Sequence, residues 1–183
     1  MMLVSFGLAI KSNAQKKLNG LYLTYNDYLD HKLTYATGPD SAKADKINLH
    51  GFLEGARVTV ISNGKKQFFA KNEIYGYRDN NGTDYRFFDK KACRVIDTNG
   101  FCIYSINALA QQGKGFKSVK AYYFSKKANG EMLPLTDENI AAAFPGNNLF
   151  QLMASNELKQ GFDNNSDYHV SKIKELYLSS LKK

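Results

Sequence analysis

Apolar and aromatic residues in this chain recur in short runs separated by turn dipeptides, the rhythm of strands joined by hairpins. Val58-Thr59-Val60-Ile61 and Tyr85-Arg86-Phe87-Phe88 are two such runs. Between the runs, Asn63-Gly64, Asn81-Gly82 and Asn99-Gly100 fall at one even spacing, and Asn129-Gly130 follows. Asn-Gly suits a two-residue type I′ turn, because both central residues need positive φ. The pattern predicts a first strand over 19–25, a polar helix or turn at Asp27-Tyr28-Leu29, a loop over 36–46 and a strand over 47–52. A ladder follows: 56–62 with 65–70, 72–79 with 83–89, and 92–98 with 101–107. Gln111 to Gly115 is expected to break the ladder, and one more strand covers 117–126.

Two-residue turns set an expected register. Arg78 then faces Tyr85, Tyr77 faces Arg86, and Gly76 stands opposite Phe87 to leave room for its ring. Ile74, Tyr85 and Phe87 fall on one side of the hairpin, and Tyr75, Tyr77 and Phe88 on the other. A sheet with one wet face alternates more cleanly. The sheet must curl on itself or be covered, and the C-terminal segment offers the cover. Thr136 is an N-cap with Asp137 and Glu138 in the first turn, and Leu135 and Ile140 occupy the positions of a hydrophobic staple. That helix ends at Phe144-Pro145-Gly146. A second spans 148–159, and a third begins near Ser166 with Val170, Ile173, Leu176, Tyr177 and Leu181 on one face. Strands first and helices last read as α+β: an antiparallel β-meander, as a curved sheet or partly closed barrel, covered by two or three C-terminal helices.

At 183 residues the chain fits one domain. Residues 1–14 read as a signal peptide and 15–183 as a single β-meander domain. Met1 to Ile10 is apolar, and Ser12-Asn13-Ala14 resembles a small-x-small cleavage site. No Lys or Arg precedes Lys11, which departs from the usual leader, and a buried first strand or helix is the alternative. A lipid-anchored form is disfavoured because no cysteine stands at the cleavage site. No later stretch approaches the ~18 apolar residues that span a bilayer. The expected location is the periplasm, the cell surface or the medium.

Cys93 and Cys102 are tempting as a disulfide in an exported protein. In the expected register Cys93 faces Ile106, four residues along from Cys102, or about 13 Å at the usual rise. A bridge needs less than ~7 Å between Cα atoms, so two free core thiols are expected. The net charge of +8 favours anionic partners without choosing among them. With 12 Tyr, 12 Phe and no Trp, the aromatic content agrees with strands.

Candidate chemistry is sparse. His31, His50 and His169 lie in separate elements without metal-ligand spacing, and no G-x-S-x-G, H-E-x-x-H or C-x-x-C motif occurs. No catalytic, cofactor-binding or metal-binding residue is assigned. Gln112-Gly113-Lys114-Gly115 lacks the spacing and the Ser or Thr of a phosphate loop. The densest constellation is Tyr75, Tyr77, Arg78, Tyr85 and Arg86. It reads either as cross-strand pairs that stabilise a hairpin or as a ligand surface that stacks flat rings while arginine holds an anion. Lys65 to Lys71, and Lys117 to Lys127 around Tyr122-Tyr123-Phe124, are similar to a single-strand nucleic-acid platform or to edge strands guarded by lysine.

The segments Gly20 to Tyr28, Ile61 to Lys66, Glu73 to Asp79 with Tyr85-Arg86-Phe87, Pro134 to Asn139 and Ala143 to Asn147 carry a resemblance. Together they resemble a group of small exported proteins of unknown function from Bacteroidetes-type bacteria. The resemblance implies export and one domain, and carries no activity. The expected function is therefore an exported, non-enzymatic binding or envelope-associated module, with an envelope component, glycan or protein as partner. A hydrolase whose site assembles from scattered residues is the alternative, which predicts a histidine meeting an acid in a pocket. A nucleic-acid binder is the third.

Overall fold

A computed structural model of the chain describes residues 18–37, 46–50, 55–112, 115–160 and 166–182. The expected leader lies outside them, as does most of the expected 36–46 loop. Eleven strands and four helices are described. β1 (Asn19–Tyr22) leads into the short α1 (Tyr25–Leu29), followed by β2 (Thr34–Thr37) and β3 (Lys46–Asn48). β4 (Arg57–Ser62) and β5 (Lys65–Ala70) form the first hairpin. Then come β6 (Gly76–Arg78), β7 (Asp84–Phe88), β8 (Lys91–Asp97), β9 (Cys102–Gln112), β10 (Gly115–Ser125) and β11 (Leu133–Pro134). α2 (Asp137–Ala143), α3 (Asn148–Lys159) and α4 (Ser166–Ser180) close the chain.

The fold is α+β, but the ladder divides into two sheets. Eight strands form an open antiparallel sheet in the order β11-β10-β9-β8-β7-β6-β1-β2, and β3-β4-β5 form a second sheet. Consecutive strands β6 to β11 are an uninterrupted meander. β1 is added to its side, with Leu21 opposite Tyr77 and Tyr22 opposite Gly76. The break between the sheets falls at residues 71–75. There the Lys71 amide donates to Ala56 and the Tyr75 amide to Tyr22, so the chain leaves β4 for β1.

Three covers bury the large sheet, and only one is the C-terminal segment. Phe101, Ile103, Tyr122 and Phe124 of the β9–β10 region pack against Leu135, Ile140, Phe144, Phe150, Val170 and Ile173 around the three helices. Thr136 caps α2 by accepting the Asn139 amide, and Leu135 and Ile140 are buried together, as the sequence predicts. Leu181, expected on the buried face of α4, is exposed. Alternation and register place Phe87, Tyr77 and Leu21 on the same side of the sheet, but their cover is the three-stranded sheet through Val58, Val60 and Phe69. The expectation that the C-terminal helices cover the 72–89 hairpin is therefore corrected. On the opposite side Cys93, Cys102, Tyr104 and Met132 form a third core with Ala128 of the β10–β11 connection.

Turn chemistry explains where the register differs from expectation. Asn63-Gly64 is the two-residue turn, with both φ values positive (50° and 75°) and Ser62 paired to Lys65. At Asn81-Gly82 only Gly82 has positive φ. Asp79 Oδ1 accepts the amides of Asn81 and Thr83, and the Asp79 amide donates to Thr83, which closes a three-residue loop. The extra loop residue slips the hairpin by one: Gly76 pairs with Arg86, Tyr77 with Tyr85 and Arg78 with Asp84. Tyr77 thereby joins the face of Tyr85 and Phe87, because a one-residue slip exchanges faces. Asp97 likewise accepts the Asn99 amide, and the β8–β9 register shifts beside it. Beyond that shift Arg94 faces Ser105 and Val95 faces Tyr104, which continues to Cys93 opposite Ile106 as expected. Both cysteines are free and buried. Gln111 and Gln112 stay paired, with Phe116 and Gly115, so β9 and β10 run on past their neighbours; Gly113 and Lys114 of the expected break lie outside the described residues.

Gly76 faces a carbonyl, not the Phe87 ring of the sequence reading. A Cβ there would stand 2.0 Å from the Tyr85 oxygen, which is main chain and cannot step aside. Gly64 has open space and only its left-handed φ to defend. Gly76→Ala is expected to destabilise the protein by about 3 kcal/mol and Gly64→Ala by about 1 kcal/mol. Urea denaturation of both variants checks the contrast; equal costs would place the constraint elsewhere.

Candidate functional site: a tyrosine–arginine hub and an exposed basic ribbon

The five residues singled out in the sequence divide between the two faces of the large sheet. Tyr77 and Tyr85 stack on each other with ring centres 4.6 Å apart and planes 4° from parallel, on the side of the three-stranded sheet. Tyr75, Arg78 and Arg86 belong to the other side. Arg78 Nε and Nη2 donate to the two oxygens of Asp84 at 2.7 and 2.8 Å, a bidentate pair. The buried Tyr22 hydroxyl donates to the same carboxylate at 2.9 Å.

Arg86 ties the far side together. Its Nη2 donates to the Gly130 carbonyl at 2.8 Å and its Nη1 to the Tyr104 hydroxyl at 3.3 Å. Its guanidinium carbon lies 5.6 Å from the centre of the Tyr75 ring and 5.7 Å from that of Tyr104. Tyr75 donates to the Ala128 carbonyl at 2.9 Å, and Tyr28 of α1 stacks on it at 4.9 Å. Tyr75 and Arg86 also border an open cavity of about 400 Å³ with Lys71, Glu73 and Asp89. The rings stack mainly on one another, and the arginines spend their donors on Asp84, Tyr104 and Gly130.

The histidines do not converge. His31 is exposed. His169 Nδ1 meets Glu157 Oε2 at 2.9 Å and links α4 to α3. His50 Nε2 bonds Thr59 Oγ1 at 2.8 Å. Among the described residues no group of three His, Cys, Asp or Glu is placed to hold a metal ion. Tyr122 and Phe124, expected as part of a base-stacking platform, are buried beneath the helices.

The most exposed constellation is one that sequence reasoning only partly isolated. β9 and β10 pair along their whole length, from Ser125 opposite Cys102 to Gly115 opposite Gln112. β8 begins at Lys91 and β11 reaches only Tyr123, so the distal part of the hairpin is a two-stranded ribbon. Four terminal pairs extend it by roughly 13 Å. Residues 115–120 are all exposed, and the Phe116 side chain is 75% accessible.

Charge is distributed in the same uneven way. Arg57, Lys65, Lys66 and Lys71 lie in a segment, 55–72, without one Asp or Glu. Lys114, Lys117, Lys120, Lys126 and Lys127 lie in another, 98–130. These nine residues account for the entire net charge of +8, and the rest of the chain is close to neutral. The sequence signal was present as this pair of acid-free windows.

Burial sets the electrostatics of the hub. It pushes the hydroxyls of Tyr28 and Tyr104 up to about 12 and the Cys93 thiol up to about 11. It also raises Tyr22, Tyr75 and Tyr77, with Asp84 adding to the effect at Tyr22. All these groups hold their protons longer folded than unfolded. Their stabilisation is complete below the unfolded values, about 8.5 for Cys and about 10 for Tyr, and falls as pH rises towards the folded ones. Lys174 acts in the opposite sense, since burial lowers its pKa against the pull of Asp97, but it is one group against six. Base-induced unfolding above pH of about 10 is expected, with a subset of tyrosines ionising together as circular dichroism is lost. Tyrosinate absorbance that rises smoothly near pH 10 with native dichroism intact would contradict a buried hub.

No helix among the described residues is long and apolar enough to cross a membrane. Compared with known proteins, the chain matches no family model, no curated protein and no solved structure.

Proposed function

We propose that the protein is an exported, non-enzymatic binding module that attaches to an anionic lipid surface of the cell envelope through the β9–β10 ribbon. The observation that carries this reading is the ribbon itself: a lysine-bearing hairpin in an acid-free segment, extending past the sheet with Phe116 exposed beside Lys117. The leader-like residues 1–14 and the resemblance to small exported proteins support the location. Anionic headgroups reward each nearby lysine by about 1 kcal/mol, and a Phe that enters the interface adds up to about 2 kcal/mol. The lysine stems can lie along the apolar boundary while the ammonium groups stay with the headgroups. Lys117 and Phe116 alone give roughly 3 kcal/mol, a weak and reversible contact in the millimolar range. Such an anchor suits a module that samples a surface and is not fixed to it.

Vesicle flotation tests the reading. The protein is expected to float with vesicles rich in anionic lipid, to release as salt rises, and to ignore purely zwitterionic vesicles. Lys117→Glu is expected to weaken partitioning by about 30-fold, through loss of one attraction and gain of one repulsion, and Phe116→Ser by about 10-fold. Both positions are exposed, so thermal melts should be unchanged. Equal flotation of wild type and Lys117→Glu, or equal flotation with both vesicle types, would sink the proposal.

A further inference from the structure

The outer face of the three-stranded sheet holds a second constellation, independent of the ribbon. Val58, Val60 and Phe69 point into the core. Alternation turns Arg57, Thr59 and Ile61 of β4 the other way, and the register sets Phe68 beside Thr59 and Lys66 beside Ile61. Phe68 is 57% exposed, a large ring left open on a sheet face, with the Lys66 ammonium 5.2 Å from its centre. None of the three strands contains a carboxylate. The nearest in sequence are Asp45 and Glu54, outside the described residues, and Glu73, which lines the separate cavity beside Tyr75 and Arg86.

One end of this face is closed by a built wall. His50 takes a left-handed φ of 46°, uncommon for a side chain of its size. Its amide donates to Asn48 Oδ1 at 2.9 Å, and its carbonyl accepts from the Gly55 amide at 3.1 Å. A Cβ on Gly55 would stand 2.9 Å from the His50 Cβ, so glycine permits the closure. The imidazole Nε2 is held at 2.8 Å from the hydroxyl of Thr59, itself buried. Backbone strain stabilised by this many contacts is a mark of a site held in shape. His50, Arg57, Thr59, Lys66 and Phe68 line an open surface cavity of about 460 Å³, within the usual volume range of small-ligand sites.

We infer that this cavity binds an acidic sugar, a pyranose bearing a carboxylate or sulfate, as one unit of an anionic glycan. A pyranose presents an apolar C–H face that suits the Phe68 ring and polar hydroxyls at its rim. Its acidic group is matched by Arg57, whose planar fork fits a carboxylate or sulfate through two hydrogen bonds. Lys66 adds a second cation. His50, with one nitrogen committed to Thr59, keeps Nδ1 as the polar atom available to a sugar hydroxyl. A free phosphate would leave Phe68 without a partner, and a neutral sugar would leave the two cations unmatched.

Calorimetric titration of the full chain with a uronic-acid oligosaccharide, a neutral oligosaccharide of equal length and inorganic phosphate separates these cases. The acidic oligosaccharide is expected to bind, the neutral one at least tenfold more weakly, and phosphate not to compete at equal concentration. Phe68→Ala and Arg57→Gln should each lower affinity about tenfold or more while melting like wild type. Phe116→Ser should leave sugar binding unchanged, so failure of the lipid reading and failure of this one are distinguishable. No binding of the acidic oligosaccharide up to about 1 mM, undiminished binding by Phe68→Ala, or full competition by phosphate would overturn the inference.

Discussion

Because the central strands of the large sheet are covered on both faces, polar side chains between the layers find most of their partners within the protein, and the half-buried Arg86 makes the most far-reaching of these contacts. An unpaired guanidinium there would be partly desolvated and so unfavourable. Its donors reach Gly130 and Tyr104, and from Tyr104 the hydroxyl contact continues to Ser125 Oγ at 3.0 Å and on to the Lys127 carbonyl at 2.7 Å. Tyr75 holds Ala128 of the same connection. One charged side chain on β7 thus fixes the path of residues 125–130, and that path places Met132 and β11 at the sheet edge. Where the chain makes a dense network of aromatics and arginine, its first consequence is a layered fold.

That arrangement decides which surfaces are left for function. On the side opposite the hub, the three-stranded sheet and the C-terminal helices divide the area between them, the former over β1 and β7, the latter over β9 and β10. Lys174 joins the second cover to the turn below it by donating to the carbonyls of Asn99 and Phe101, with Asp97 at 3.2 Å. Neither cover reaches the distal ribbon, and the small sheet, once its inner face is buried, has only its outer face to offer. Arg57, Lys65 and Lys66 are exposed on the small sheet, and Lys117 and Lys120 on the ribbon.

The C-terminal helices were legible because their signals are local. A Thr cap, acidic residues in the first turn and a Leu135–Ile140 staple need no knowledge of the remainder. Sheet register was less legible, and the reason is specific. Asp79-Asn80-Asn81-Gly82 and Asp97-Thr98-Asn99-Gly100 place a carboxylate two residues before Asn, whereas Ser62-Asn63-Gly64 does not. That carboxylate captures the Asn amide, lengthens the loop and leaves positive φ to glycine alone. The error was one residue, but in a strand one residue exchanges faces. Tyr77 and Tyr85 became a stacked pair, and the five residues of the expected surface divide between the two faces of the sheet. The His50 site was illegible for a different reason. Its wall depends on a left-handed histidine and on a glycine five residues later, and neither has periodicity.

Charge placement links the two open surfaces more closely than their separate positions in the sequence suggest. Scattered lysines would give the same net charge with a weak field, because each would be paired or screened within a Debye length of about 8 Å. Collected into windows free of carboxylates, they create local potentials that the near-neutral remainder does not cancel. Some of these cations are used internally: Lys71 is buried and donates to the Lys90 carbonyl at 3.0 Å, and Lys126 lies 5.8 Å from the centre of the Phe144 ring. Those positions could be satisfied by many residues, and they do not require neighbours of the same sign. Repulsion among Arg57, Lys65 and Lys66, or along the ribbon, stabilises nothing in the fold. An external anion, as proposed above, would offset that repulsion, and lysine on exposed strands also guards against edge-to-edge pairing.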